Sequence, residues 1–160
     1  MNKALFLDRD GVLNRERGVY TYTLEDFEVL PDVTEALKLA RKKGYMLIVI
    51  SNQGGIAKEI FTEERVEQLH GKLNLKLAES EIEFDEIYYC QHHSDIGKCI
   101  CRKPDSLMLE KAIARFNIDQ ERSYMIGDSP RDVEAAKKAG ITGFLINSND
   151  GILKIVEGMK

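Results

Sequence analysis

Short apolar runs alternate with helix-patterned segments five times along this chain, and that alternation constrains the fold more than any single residue does. Lys3 to Leu7 reads as a buried strand, and Tyr45 to Ile50 (Tyr-Met-Leu-Ile-Val-Ile) is the clearest strand signal. Glu86 to Tyr89, Tyr124 to Ile126 and Phe144 to Ile146 complete the set. Between them, Asp32 is placed to cap a helix that carries Val33, Ala36, Leu37 and Ala40 on one face. Thr62 precedes a second helix, striped by Val66, Leu69, Leu73 and Leu77, and a third starts near Ser106 with Met108, Leu109, Ala112, Ile113 and Phe116 inward. The fourth has Ser129 as its cap, Pro130 at its first position and Gly140 at its end, the expected asymmetry of start and stop. A last helical pattern falls between Asp150 and Gly158. The expectation is an α/β fold, a Rossmann-like three-layer sandwich around a mostly parallel central sheet, in one domain spanning residues 1–160. The stretches after the first two strand ends are short, so no large cap domain is expected.

In open parallel sheets, ligands bind outside the carboxyl ends of the strands. That rule selects Asp8 and Asp10, Ser51 and Asn52, Cys90, and Gly127 with Asp128. Composition narrows the partners. A net charge of −4 without a basic, aromatic-studded face gives no reason to expect nucleic acid. No apolar run approaches the roughly 20 residues of a membrane span, and the N-terminus enters a strand at once, too soon for a signal peptide. Cytoplasmic location is expected, and the lack of heptads or a long apolar edge strand points to a monomer.

The strand-end acids carry the chemistry. Asp8 and Asp10 follow the first strand, and Asp128 follows a later one. Three carboxylates at one sheet edge repel each other unless a divalent cation sits among them, and hard oxygen ligands favour magnesium. Taken singly, each residue has an ordinary reading: Asp8 and Asp10 finishing a turn, Asp128 capping a helix, Ser51 bonding backbone, Lys103 solvated. Asp132 reads as a first-turn acid favoured by the helix dipole, with a supporting place behind the metal as the alternative.

Asp8-Arg9-Asp10-Gly11-Val12, Ser51-Asn52-Gln53, Lys103-Pro104 and Gly127-Asp128-Ser129 together resemble, in order and spacing, the four motifs of haloacid dehalogenase superfamily phosphatases. The resemblance covers nearly the whole chain. It implies that Asp8 is the nucleophile and becomes phosphorylated, and that Asp10 protonates the leaving oxygen and then activates water. It implies that Ser51 and Lys103 hold the phosphoryl oxygens, and that Asp8, Asp128 and the Asp10 backbone carbonyl hold magnesium.

All three cysteines and two of the three histidines fall between Cys90 and Cys101. Cys90, His92, His93, Cys99 and Cys101 offer five ligands where zinc takes four, and three thiolates with one imidazole would close a structural site. The alternative is a pair of buried cysteines beside exposed histidines. Arg102 and Lys103 follow Cys101 directly, so a zinc-tied loop is expected to hold those cations over the site.

Here the resemblance narrows. Cys-x-His followed by Cys-x-Cys-Arg-Lys-Pro is similar to the zinc loop of two branches of the superfamily, the heptose-bisphosphate phosphatases of lipopolysaccharide-precursor synthesis and the histidinol-phosphate phosphatases. The matched ligands are Cys90, His92, Cys99 and Cys101. Gly18-Val19, Asp26-Phe27-Glu28, Asn52 through Lys58 and Tyr88 through His93 look like the heptose branch, whereas the short loop from His92 to Cys99 is closer to the histidinol branch. The heptose branch is the reading taken, with removal of the 7-phosphate from D-glycero-D-manno-heptose 1,7-bisphosphate, and histidinol phosphate is the alternative. It implies a substrate wall of Glu16, Arg17, Gly18, Val19, Ser51, Asn52, Gln53, Gly54, Arg102 and Lys103, with Arg102 on a second anionic or hydroxyl-rich part of the sugar.

Overall fold

The computed structural model describes residues 1–160. Five strands, β1 (Lys3–Leu7), β2 (Tyr45–Asn52), β3 (Glu86–Cys90), β4 (Tyr124–Gly127) and β5 (Thr142–Leu145), form one sheet in the order β3-β2-β1-β4-β5. All four pairings are parallel. Side chains alternate across it. Leu5, Leu7, Leu47 and Val49 join a core under α1 (Val33–Lys42), α2 (Glu63–Ala78) and α5 (Leu153–Gly158). Ala4, Phe6, Ile48 and Ile50 join a second core under α3 (Leu107–Phe116) and α4 (Pro130–Lys138). The period of two in β1 and β2 thus fills both faces, and the result is a three-layer α/β/α sandwich.

The strand order reverses at β1: the chain builds outward to β2 and β3, then crosses to β4 and β5 on the other side. A crevice opens where consecutive connections leave in opposite directions, and the ends of β1 and β4 border it. The chain contains no helix long and apolar enough to cross a membrane.

Several boundaries differ from the sequence expectation, for local reasons. The strand β2 runs on to Asn52, because Ser51 and Asn52 pair with Tyr89 and Cys90. The last strand begins at Thr142 rather than Phe144. Its register on β4 matches Thr142 with Tyr124, and Gly143 lets it lie against Val133 and Ala136 of α4. Neither Thr142 nor Gly143 carries an apolar signal. Asp32 occupies the position before α1, but its carboxylate does not cap that helix. It accepts from the N–H groups of Ile152 (2.6 Å) and Leu153 (2.9 Å), and so caps α5 from across the chain. The far end of α5 is held by Lys43, whose ammonium donates to the carbonyls of Val156, Glu157 and Met159. Thr62 caps α2 as its sequence predicts, accepting from Arg65 N–H.

Candidate active site and metal centres

Lys103 sits at the centre of the crevice. Its side chain is 2% exposed, and its Nζ lies 2.8 Å from Asp8 Oδ1 and 2.6 Å from Asp132 Oδ1. It also donates to the Ile50 carbonyl at 2.7 Å. One ammonium therefore ties together the ends of β1 and β2 and the first turn of α4. Burial alone would lower its pKa, but the Asp8 and Asp132 carboxylates reverse that and raise it. Asn52 fixes the lysine's backbone, with Oδ1 accepting from Lys103 N–H at 3.0 Å and Nδ2 donating to Lys103 O at 3.1 Å.

Asp8 follows β1 directly and keeps its ladder going, its N–H donating to Ile126 O at 3.0 Å. Both side-chain bonds of Asp8, from Arg9 N–H and from Lys103, land on Oδ1, so Oδ2 is uncommitted. Burial pushes the Asp8 carboxyl up to about 7; Lys103 opposes the rise, and Asp132 and Asp10 add to it. Asp128, after β4, accepts from the Ser148 hydroxyl through Oδ2 at 2.6 Å. Carboxylate oxygens of Asp8, Asp128 and Asp132 all lie within 4.8 Å of one another. Asp132 is fully committed, with Oδ1 on Lys103 and Oδ2 accepting from Ser129 N–H at 3.0 Å. Two glycines make the crowding possible. A Cβ on Gly11, which holds φ +82°, would fall 2.0 Å from Asp128 Oδ2, and one on Gly127 would fall 2.2 Å from Asp132 Cβ.

This donor set fits a hard divalent cation. Asp8 and Asp128 each hold one oxygen without a protein partner, and the negative charge of Asp132 and Asp10, which adds to burial in raising the Asp8 pKa, is what a bound cation would offset. The Asp10 carbonyl accepts no backbone hydrogen bond, so it too is free to ligate.

Asp10 faces the other way. Both its oxygens take Arg9 Nη2, at 2.8 and 2.9 Å, and Asn14 Nδ2 and Gln53 Nε2 add donors at 2.9 and 3.1 Å. Burial works against its charge, yet Arg9, Asn14 and Gln53 hold its pKa below the usual carboxylate range. Asp10 therefore rests in the deprotonated form of a general base, and must part from Arg9 to carry a proton as an acid. Gln53 also donates to Ser51 Oγ at 2.8 Å, which aligns that buried hydroxyl.

At the end of β3, Cys90 Sγ, His92 Nδ1, Cys99 Sγ and Cys101 Sγ form a second cluster within 4.8 Å. The edges run 3.8 Å from Cys90 to Cys99, 3.5 Å from Cys90 to His92 and 3.3 Å from His92 to Cys101. A zinc tetrahedron with bonds of about 2.0–2.3 Å has edges of about 3.3–3.8 Å, so these match. Cys90 and Cys101 stand closer, at 3.0 Å, but are not bonded as a disulfide. His93 turns away from the cluster and accepts from Asp95 N–H.

A cleft of about 610 Å³ lies over Asp8, Asp10, Lys103, Asp128 and Asp132. Asp8, Asp10, Glu16, Gly18, Val19, Asn52, Gln53, Gly54, Arg102, Lys103 and Asp128 all line it, as the sequence led us to expect. Arg17 does not: its guanidinium pairs with Asp26 at 2.7 Å. Ser51 lies just behind the wall, 1% exposed. The sequence reading of Asp132 as a first-turn helix acid, with a supporting place behind the metal as the alternative, meets a residue that stands in the first turn of α4 and is also 1% exposed and salt-bridged to Lys103. Its spacing of four residues from Asp128, one helical turn on, was the available signal. Ser148, Arg9 and Asn14 carried none, because each acts through a fold contact.

The haloacid dehalogenase-like hydrolase family model matches residues 2–140. A Haemophilus influenzae D-glycero-beta-D-manno-heptose-1,7-bisphosphate 7-phosphatase is 45% identical over 141 residues, covering 84% of this chain and 76% of that protein. A Chlorobaculum tepidum D-glycero-D-manno-heptose-1,7-bisphosphate 7-phosphatase is 39% identical, covering 91% and 79%. Among solved structures, the D,D-heptose 1,7-bisphosphate phosphatase of B. bronchiseptica, complexed with magnesium and phosphate, superposes with a TM-score of 0.86. It is 28% identical, and the match covers 99% of this chain and 87% of that one.

Proposed function

This chain belongs to the haloacid dehalogenase-like hydrolase family, and from that premise we propose that it removes the 7-phosphate of D-glycero-D-manno-heptose 1,7-bisphosphate through an aspartyl phosphate on Asp8. The observation that carries the reading is the uncommitted Asp8 Oδ2 at the carboxyl end of β1, beside a buried lysine and a cluster of acids, on the floor of a polar cleft. Asp8 Oδ2 attacks phosphorus and the ester oxygen leaves as the alcohol. Lys103, already on Asp8 Oδ1, supplies positive charge as the transferring group becomes more negative. Asp10 gives a proton to the leaving oxygen and then takes one from the water that hydrolyses the acyl phosphate. Giving up that proton leaves Asp10 charged, and Arg9, Asn14 and Gln53 stabilise the carboxylate until it takes the proton from water. Gln53 holds the Ser51 hydroxyl on the same side, where it can donate to a phosphoryl oxygen. Asp8, Asp128 and the Asp10 carbonyl would hold magnesium, which when bound shields the attacking carboxylate from the phosphate's charge. Cys90, His92, Cys99 and Cys101 would hold a structural zinc that fixes the segment leading into Arg102 and Lys103.

The chain acts in this reading as one domain and a cytoplasmic monomer, on a small sugar phosphate of lipopolysaccharide-precursor synthesis. Phosphate release with magnesium is compared for both anomers of heptose 1,7-bisphosphate and for histidinol phosphate. Faster turnover of a heptose bisphosphate is expected, and preference for histidinol phosphate would move the protein to histidine biosynthesis.

A further inference from the structure

The turn after β5 grips the site from outside the cleft. Ile146 N–H donates to Gly127 O at 3.0 Å, so the chain keeps beside β4 past the end of the strand and arrives next to Asp128. There the Ser148 hydroxyl donates to Asp128 Oδ2 at 2.6 Å. Asn149 follows in the left-handed region, at φ +70°, which Asn tolerates better than most residues. Its N–H donates to Gly11 O at 2.8 Å. Its side chain closes on Glu16 in both directions, with Oδ1 accepting from Glu16 N–H at 2.7 Å and Nδ2 donating to Glu16 O at 3.0 Å. Asp128 and Glu16 line the cleft, whereas Ser148 and Asn149 do not.

These bonds fall where the site has little else to hold it. Ser148 is the one protein donor on the Asp128 carboxylate. A carboxylate fixed at one oxygen keeps its orientation, and Oδ1 is left for a cation. From Arg17 to Phe27 no backbone group bonds another, although this stretch supplies Gly18, Val19, Tyr20 and Thr21 to the cleft wall. Glu16 is the base of that stretch, and Asn149 makes the only hydrogen bonds of its backbone. Gly11 lets the pieces meet, since a Cβ there would lie 2.0 Å from Asp128 Oδ2 and 3.3 Å from Ser148 Cβ.

We propose that Ser148 and Asn149 are positioning residues of the reaction: Ser148 sets the Asp128 carboxylate for the cation, and Asn149 sets the base of the wall that receives the organic part of the substrate. The inference rests on the phosphatase reading of this cleft and extends it to a turn outside the cleft. Because the two side chains hold different partners, their removal should produce different losses.

The test uses Ser148→Ala, Ser148→Thr and Asn149→Gly, the last because Gly keeps φ +70° while dropping the side chain. Magnesium binding to the purified protein is measured by calorimetry with no substrate present. Ser148→Ala should weaken it about tenfold, Ser148→Thr should restore it, and Asn149→Gly should leave it unchanged. At saturating magnesium, Asn149→Gly should raise KM for heptose 1,7-bisphosphate about fivefold with little change in kcat. Its hydrolysis of p-nitrophenyl phosphate, which carries no sugar, should match wild type. Amide exchange of the peptide spanning residues 16–22 should quicken in Asn149→Gly and not in Ser148→Ala. Unchanged magnesium affinity in Ser148→Ala, or unchanged exchange or KM in Asn149→Gly, overturns the proposal. So does a uniform loss, in which each variant lowers melting temperature, magnesium affinity and both turnovers together. Wild-type protein that binds no magnesium would end the cation reading itself, and the role of Ser148 with it. Wild type that hydrolyses p-nitrophenyl phosphate but no heptose phosphate would end the heptose reading alone. Amide exchange then decides the assignment of Asn149, faster exchange in Asn149→Gly supporting it and equal exchange overturning it.

Discussion

Removing Asp132 should damage the protein more than removing any helix-capping acid could. In the structure it supplies one of two carboxylates on a lysine that is 2% exposed, and it takes Ser129 N–H as well. Asp132→Ala leaves the Lys103 ammonium buried with Asp8 and the Ile50 carbonyl alone, and orphans one backbone donor. Breaking a buried pair from one side costs about 3–5 kcal/mol, and since Asp8 remains, the lower half of that range is expected. A first-turn acid acting through the helix dipole contributes only about 0.3–1 kcal/mol, so urea unfolding separates the two accounts. Lys103→Met, alone and together with Asp132→Ala, completes a double-mutant cycle. Because the charge and its counter-charge go together, the double variant should be more stable than the sum of the single losses implies by about 1–3 kcal/mol. Phosphate release should fall in Asp132→Ala as well, since Lys103 is then left to Asp8 alone. Additivity of the two changes within about 0.5 kcal/mol would refute the reasoning.

Other consequences follow from single contacts. Gly11→Ala puts a methyl group 2.0 Å from Asp128 Oδ2 at φ +82°, so it should displace that carboxylate, weaken magnesium binding in a titration and cut turnover at least a hundredfold. His70 is 4% exposed, and its Nε2 has no partner. Burial, then the charge of Arg9, depresses its pKa to about 4 from an unfolded value near 6.5. Its folded pKa is the lower one, so its stability contribution is complete above pH 6.5 and is lost as pH falls towards 4. Between about pH 7.5 and 5 that loss is about 2 kcal/mol in denaturant midpoints, and His70→Leu should flatten the slope over this window. Cys99→Ser or chelation should release about one zinc per chain by metal analysis, and lower the melting temperature and turnover together; a metal-free protein that keeps both would show that the loop needs no ion.

The sequence carried the fold well because β1 and β2 alternate apolar residues into two cores, and because Thr62, Pro130 and Gly140 mark helix ends by local chemistry. It misjudged what depends on distant contacts. Asp32 looked like a local cap, yet the N–H groups that donate to it lie far along the chain at Ile152 and Leu153. Asp132 had an adequate explanation in the helix dipole, and only Lys103, brought in by a separate loop, shows why an acid is buried there. Arg17 sat among residues that line the cleft, but the loop turns it to Asp26. Arg9 lay between two candidate catalytic acids and offered no signal of its own, although it sets the charge state of Asp10.

The most direct test of the account is rapid acid quenching of the protein with heptose 1,7-bisphosphate labelled with 32P at the 7-position, followed by peptide mapping. With magnesium present, label is expected on the peptide containing Asp8 within the first turnover, more of it in Asp10→Asn and none in Asp8→Asn. Phosphate released with no label on the chain, together with turnover retained by Asp8→Asn, would contradict the assignment of Asp8 as the nucleophile.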